Sequence, residues 1–144
     1  MAGTEFDLQR FKTAQEPVFE TALSELRQGQ KRSHWIWFIF PQLRGLGRSP
    51  TAQFYGLSSL AEASAYLEDP LLKERLDVAT SAVLGHKNMS ALDILGSPDD
   101  LKFRSSMTLF NEASGHANPL FQEALEQFFD GMPDERTREL LKRL

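Results

Sequence analysis

The sequence predicts an all-α fold, a single domain over 1–144 built as one irregular bundle of about six to eight helices. Three observations predict it. Apolar residues recur at helical spacing along most of the chain. Strand-like alternation is nearly absent. Four proline dipeptides, Ser49-Pro50, Asp69-Pro70, Ser97-Pro98 and Asn118-Pro119, read as helix starts. In each, the first side chain can accept from an orphan N–H, and proline's missing N–H costs nothing at the first helical position.

In chain order, Val18, Phe19, Ala22, Leu23 and Leu26 form the first apolar stripe. Trp35 to Phe40 is ambiguous between a buried strand and a short buried helix. Helix is favoured because no partner strand is evident and Pro41 stops the run. Leu60, Ala63 and Leu67 form the next stripe. Leu72, Leu76, Ala79 and Val83 follow it and end at Gly85. Ser90-Ala-Leu-Asp93 reads as a short capped turn. Phe103, Met107 and Phe110 lie behind Asp99 and Asp100, two acids that suit the positive end of a helix. Phe121, Ala124, Leu125 and Phe128 end near Gly131, and Leu140, Leu141 and Leu144 mark a last short helix.

Composition narrows the function classes. With 41% hydrophobic and 25% charged residues, the chain is globular rather than disordered. A net charge of −4 argues against a nucleic-acid binder, whose only support is the local Lys31, Arg32, Arg44 and Arg48. The absence of cysteine excludes disulfides, thiolate catalysis and cysteine zinc sites. His34, His86 and His116 are too widely spaced for a metal motif, so no metal is expected. The first residues lack a signal-peptide pattern, and the longest apolar run is far short of the roughly 20 residues that span a bilayer. A cytoplasmic protein without membrane association is the expectation.

Candidate chemistry concentrates between Lys31 and Pro50. If the aromatic run is helical, Lys31 and His34 share a face, and His34 is a candidate general base or hydrogen-bonding clamp. Equally, it is a structural histidine at the edge of an aromatic core. Successive helical residues point about 100° apart, so Trp35 and Trp37 cannot both face the core. One of them could stack on a flat ligand, with Tyr55 as a second platform. In the loop that follows, Gly45 and Gly47 permit a sharp bend between Arg44 and Arg48, and Ser49 opens a helix whose free N–H groups favour an anion. This loop is neither a dinucleotide fingerprint nor a P-loop, and nothing in the sequence calls for a cofactor. Further on, Lys102, Ser105 and Ser106 lie off the apolar stripe of their helix. Lys102 and Ser106 sit one turn apart as a candidate nucleophilic pair, or as small groups packed on a neighbour.

Several strings together resemble a known family. They are Phe-Lys-Thr-Ala-Gln15, Gly29-x-Lys-Arg-Ser-His-Trp-x-Trp-Phe-Ile-Phe-Pro-Gln42, Gly45-Leu-Gly-x-Ser49, Glu62-Ala-x-Ala-Tyr-Leu67 and Lys102-x-Arg-Ser-Ser-Met-Thr-Leu-Phe110. They resemble the bacterial domain-of-unknown-function family 1810, sometimes labelled calpastatin-like, from about Phe6 to Phe129. The resemblance implies a mostly helical single domain and no activity. A more distant likeness is to helical domains of the YbiA/NADAR type, which handle ADP-ribose-like and N-glycosidic substrates.

The expectation is therefore a domain that binds or hydrolyses an anionic, nucleotide-like ligand. His34, Lys102 and Ser106 would be catalytic. Lys31, Trp35, Trp37, Arg44, Gly45, Gly47, Arg48, Ser49, Tyr55 and Ser105 would contact the ligand. The alternative is a regulatory module that docks a protein beside the tryptophans or on the Phe121–Phe129 helix. Whether the protein is an enzyme stays open at this point.

Overall fold

The computed structural model describes residues 6–144, and the N-terminal signal reading at Met1–Glu5 lies outside them. Among the described residues there are ten helices and no strand. They are α1 (Gln9–Gln15), α2 (Phe19–Gln28), α3 (Ile36–Ile39), α4 (Pro50–Tyr55), α5 (Leu60–Glu68), α6 (Pro70–Leu84), α7 (Ala91–Leu95), α8 (Asp99–Ala113), α9 (Pro119–Phe129) and α10 (Glu135–Arg143). The all-α expectation holds, and the count of six to eight was too low. The surplus is α1, with 7 residues and no stripe read over it, and α7, with 5 residues and read as a capped turn. Elements that short span one or two turns and display at most a fragment of a periodic stripe.

Helix α8 is the centre of the bundle. It packs against α5, α7, α9 and α10, and every residue from Ser105 to Asn111 is buried. A helix enclosed on all sides needs apolar or small residues around its circumference, which the Ser-Ser-Met-Thr-Leu-Phe run supplies. Helix α6 forms a second spine against α2, α5 and α9. The enclosed core includes Phe11, Trp35, Phe40, Tyr66, Phe103, Phe110 and Phe121.

The helix starts show how far the proline signals carry. Ser49 accepts from Ala52 N–H, Asp69 from Leu71 and Leu72 N–H, and Asn118 from Leu120 N–H. Ser97-Pro98 differs. Its peptide bond is cis, and α8 starts one residue later, behind Pro98, with no side-chain cap. Asp99 and Asp100 occupy its first turn. The Ser90–Asp93 turn forms a reciprocal capping box at α7.

Two buried polar ties hold α1 to the bundle. Gln15 Nε2 donates to Tyr66 Oη at 3.0 Å and to the Phe38 carbonyl at 2.7 Å, joining α1 to α5 and α3. Burial pushes the Tyr66 hydroxyl up, against the opposing pull of the Gln15 bond, so it stays protonated. Arg10 pairs with Glu62 at 3.0 Å, and both side chains are almost fully enclosed. Its other N–H groups donate to the carbonyls of Phe54 and Gly56.

The aromatic run forms a single helical turn, with Trp35 before it and Phe40 after it. The chain then makes one isolated parallel bridge, Leu43 to Leu57. Among the described residues strand pairing goes no further.

Candidate functional site: a lysine–tryptophan corner around Asp99

The segment Lys31–Trp37 is shaped by a carboxylate ten residues upstream of its first tryptophan. Helix α2 ends at Gly29, whose left-handed backbone (φ 76°) turns the chain back. A Cβ there would come within 2.9 Å of Met89 Sδ. Past this turn the chain wraps Glu25. Its carboxylate accepts from the N–H of Arg32 (2.8 Å) and of Ser33 (3.1 Å), from Ser33 Oγ (2.6 Å) and from Trp35 Nε1 (2.9 Å). Burial by itself raises the Glu25 pKa. The four hydrogen bonds, led by the Ser33 hydroxyl, outweigh burial and pull it down to about 2.

Held in this way, Lys31 reaches α8. Its backbone N–H donates to the Ile94 carbonyl at 2.8 Å, which ties the loop to α7. Its Nζ lies 2.8 Å from Asp99 Oδ2 and 4.9 Å from the centre of the Trp35 ring. Lys102 approaches the same carboxylate from within α8, with Nζ 3.2 Å from Asp99 Oδ1 and 4.1 Å from the centre of the Trp37 ring. Two ammonium groups thus share one carboxylate, and each lies over its own tryptophan. A cation over an indole face is attracted by the ring quadrupole, which orients both lysines.

Trp37 also joins the glycine loop to this corner. A Cβ on Gly47 would lie 2.7 Å from Ala52 Cβ and 3.6 Å from the Trp37 ring. Gly47 therefore allows the loop to close on α4 and on the indole. Gly45 takes a positive φ of 106° beside Leu140.

Of the predicted site residues, Lys31, Trp35, Trp37, Gly47 and Lys102 come together here. His34 is exposed on the same loop. Others have different surroundings. Trp35 is 1% exposed, so it supports Lys31 from within the core and offers no open stacking face. Ser106 is 0% exposed, enclosed by the neighbours of α8, and Ser105 donates to the Leu101 carbonyl at 3.1 Å. Tyr55 packs its ring on Phe38 and Phe54. Arg44 donates to the Gln53 carbonyl at 3.2 Å and lines a different cavity, with Arg10 and Glu62. Ser49 spends its oxygen on Ala52 N–H, and Arg48 is exposed beside it.

Two residues of the corner were not legible as site residues. Asp99 reads in sequence as a helix-start acid, which it also is. Glu25 carries no signal in the sequence, since no local pattern links it to Ser33 or Trp35. Among the described residues, no three His, Asp or Glu side chains gather as a metal site, and no helix is long and apolar enough to cross a membrane.

The comparisons agree with this architecture. The model of the protein family of unknown function DUF1810 matches residues 5–141, and the chain belongs to that family. The chain is also similar to the conserved hypothetical protein Rv1873 from Mycobacterium tuberculosis, known from a crystal structure. The two share 52% identity with a TM-score of 0.93, over 95% of this chain and 97% of that one. No curated protein matches the chain significantly.

Proposed function

We propose that the corner formed by Lys31, Asp99, Lys102 and Trp37 binds a planar, anionic small molecule of the nucleotide class, with ADP-ribose or NAD as the type ligand. The observation that carries this reading is the sharing of Asp99 by two lysines. Within this cluster of three, one carboxylate faces two ammonium groups, so one positive charge is left over for an incoming anion. The looser of the two pairs is that of Lys102, at 3.2 Å, and Lys102 is the group placed to turn toward a phosphate. Half-buried Trp37 lies beneath Lys102, and exposed His34 adds a hydrogen-bonding group on the same loop.

The reading is one of binding rather than hydrolysis. Ser106 is enclosed in the core and has no route to a substrate. The protein-docking alternative has less to rest on. The apolar stripe of α9, Phe121, Ala124 and Leu125, is already buried, and α9 packs on α6 and α8.

Calorimetry and thermal shift against ADP-ribose, NAD, AMP and inorganic phosphate test the proposal. Saturable binding of a nucleotide at about millimolar affinity or tighter supports it. A folded protein that binds none of them at several millimolar rules it out.

A further inference from the structure

A cavity of about 500 Å³ opens where α1, the end of α4 and the start of α5 meet the residue before the glycine loop. That volume lies within the usual range of a small-molecule site. Two guanidinium groups line it, those of Arg10 and Arg44.

Both are held by the end of α4. The last carbonyls of a helix have no partner inside it, and nearby arginines can supply one. Arg44 Nε donates to the Gln53 carbonyl at 3.2 Å, and Arg10 Nε to the Phe54 carbonyl at 2.8 Å. Those carbonyls are consecutive, so the two cations are neighbours. Their charges are balanced differently. Arg10 is enclosed and paired with Glu62 at 3.0 Å, and Glu62 spends its other oxygen on Ser58 N–H at 2.7 Å. Arg44 is exposed, and among the described residues its one bond is that of Nε to the carbonyl. Both Nη groups are therefore left to donate. Side by side, they match a planar carboxylate with two parallel hydrogen bonds.

The rest of the lining indicates what such an anion carries. Phe54 is 55% exposed and stands edge-on to Tyr55, with 4.8 Å between ring centres. It directly follows the residue whose carbonyl holds Arg44, which keeps ring and cation within reach of one small molecule. Half-buried Phe6 lines the same cavity. Accessible aromatic surface beside an unpaired cation suits a flat, apolar body with one anionic end. Asp7 also lines the cavity, and among the described residues its carboxylate has no ion pair. It is exposed, so water screens it. A dianion such as a phosphate monoester is repelled by it more than a singly charged carboxylate.

We propose that this cavity binds an aryl carboxylate of the phenylacetate class. The carboxylate takes both Nη groups of Arg44, and the ring lies against Phe54. None of these residues belongs to the lysine–tryptophan corner, and the site does not depend on it.

Two-dimensional NMR of the whole protein tests the proposal by following the backbone amides of Arg44, Phe54 and Ser58. The probes are phenylacetate, benzoate, phenyl phosphate, benzyl alcohol and acetate, each titrated to about 10 mM. The expected result is a saturable shift with phenylacetate or benzoate, at about millimolar affinity or tighter. Benzyl alcohol lacks the charge and acetate lacks the ring, and each should bind at least about tenfold more weakly. Arg44→Lys keeps the charge but loses the paired donors, and Phe54→Ala loses the ring; each should weaken the aryl carboxylate at least about tenfold. Lys102→Gln should leave its affinity unchanged. No saturable shift with either aryl carboxylate would overturn the proposal. So would undiminished affinity in Arg44→Lys or Phe54→Ala, tighter binding of phenyl phosphate, or a loss of affinity in Lys102→Gln.

Discussion

The indole N–H of Trp35 donates to Glu25 Oε1 at 2.9 Å, from inside the core to a carboxylate that also holds the backbone N–H groups of Arg32 and Ser33. This bond explains why the Lys-Arg-Ser-His-Trp string forms a fixed loop rather than a mobile one. Four donors of the loop find the same acceptor, and Lys31 reaches α8.

Replacing Glu25 therefore removes a hub. Glu25→Ala leaves the Trp35 indole N–H and the Ser33 hydroxyl without their acceptor, and it should cost about 3–5 kcal/mol. Urea melts at neutral pH check this. A loss under about 1 kcal/mol would show that the loop holds itself.

The same carboxylate predicts an acid dependence. Its pKa falls from 4.5 to about 2 on folding, so its contribution is fully present above the unfolded value. That contribution is lost as the pH drops from about 4.5 through about 2. The linked stability is about 3 kcal/mol. Asp69, drawn down by Lys12 and the first N–H groups of α6 despite its burial, acts in the same direction. Comparing wild type with Glu25→Gln isolates the Glu25 part. The stability gap should narrow as the pH falls from 5 to 3, and a constant gap would contradict the assignment.

At Gly47 the prediction is steric. An added Cβ would sit 2.7 Å from Ala52 Cβ, against a helix that cannot yield easily. Gly47→Ala should cost about 1–3 kcal/mol and alter Trp37 emission, because the loop packs on that ring. Denaturation followed by tryptophan fluorescence measures both. Unchanged emission would place the indole outside the loop's contact.

Arg10 and Glu62 make an enclosed pair between α1 and α5. Arg10→Met strands a buried carboxylate and should cost about 3–5 kcal/mol. Arg10→Met with Glu62→Leu should recover a good part of that. A double variant no more stable than the single one would show that the Arg10 bonds to the Phe54 and Gly56 carbonyls carry the effect instead.

The sequence made the helical class, the long helices and three proline-marked starts legible, because each leaves a local trace: a stripe or a cap. It also offered Lys31, Trp37, Gly47 and Lys102 as site candidates, and these four lie near one another. The acids that organise this corner, Glu25 and Asp99, escaped notice because, Lys102 apart, their partners lie seven to sixty-eight residues away and share no local spacing with them. Ser106 was left open between a nucleophile and a small group packed on a neighbour. Its burial fits the second, because α8 is surrounded on all sides and its small polar residues are buried as well.

The most direct test of the lysine–tryptophan corner is calorimetric titration of ADP-ribose into the wild-type protein and into Lys102→Gln. Lys102 is partly exposed and Asp99 keeps Lys31 as a partner, so the substitution should cost no more than about 1 kcal/mol of stability. Wild type should bind saturably, and the variant should bind at least about tenfold more weakly with its melting temperature nearly unchanged. Binding curves that superimpose, or no heat from either protein, would contradict the account.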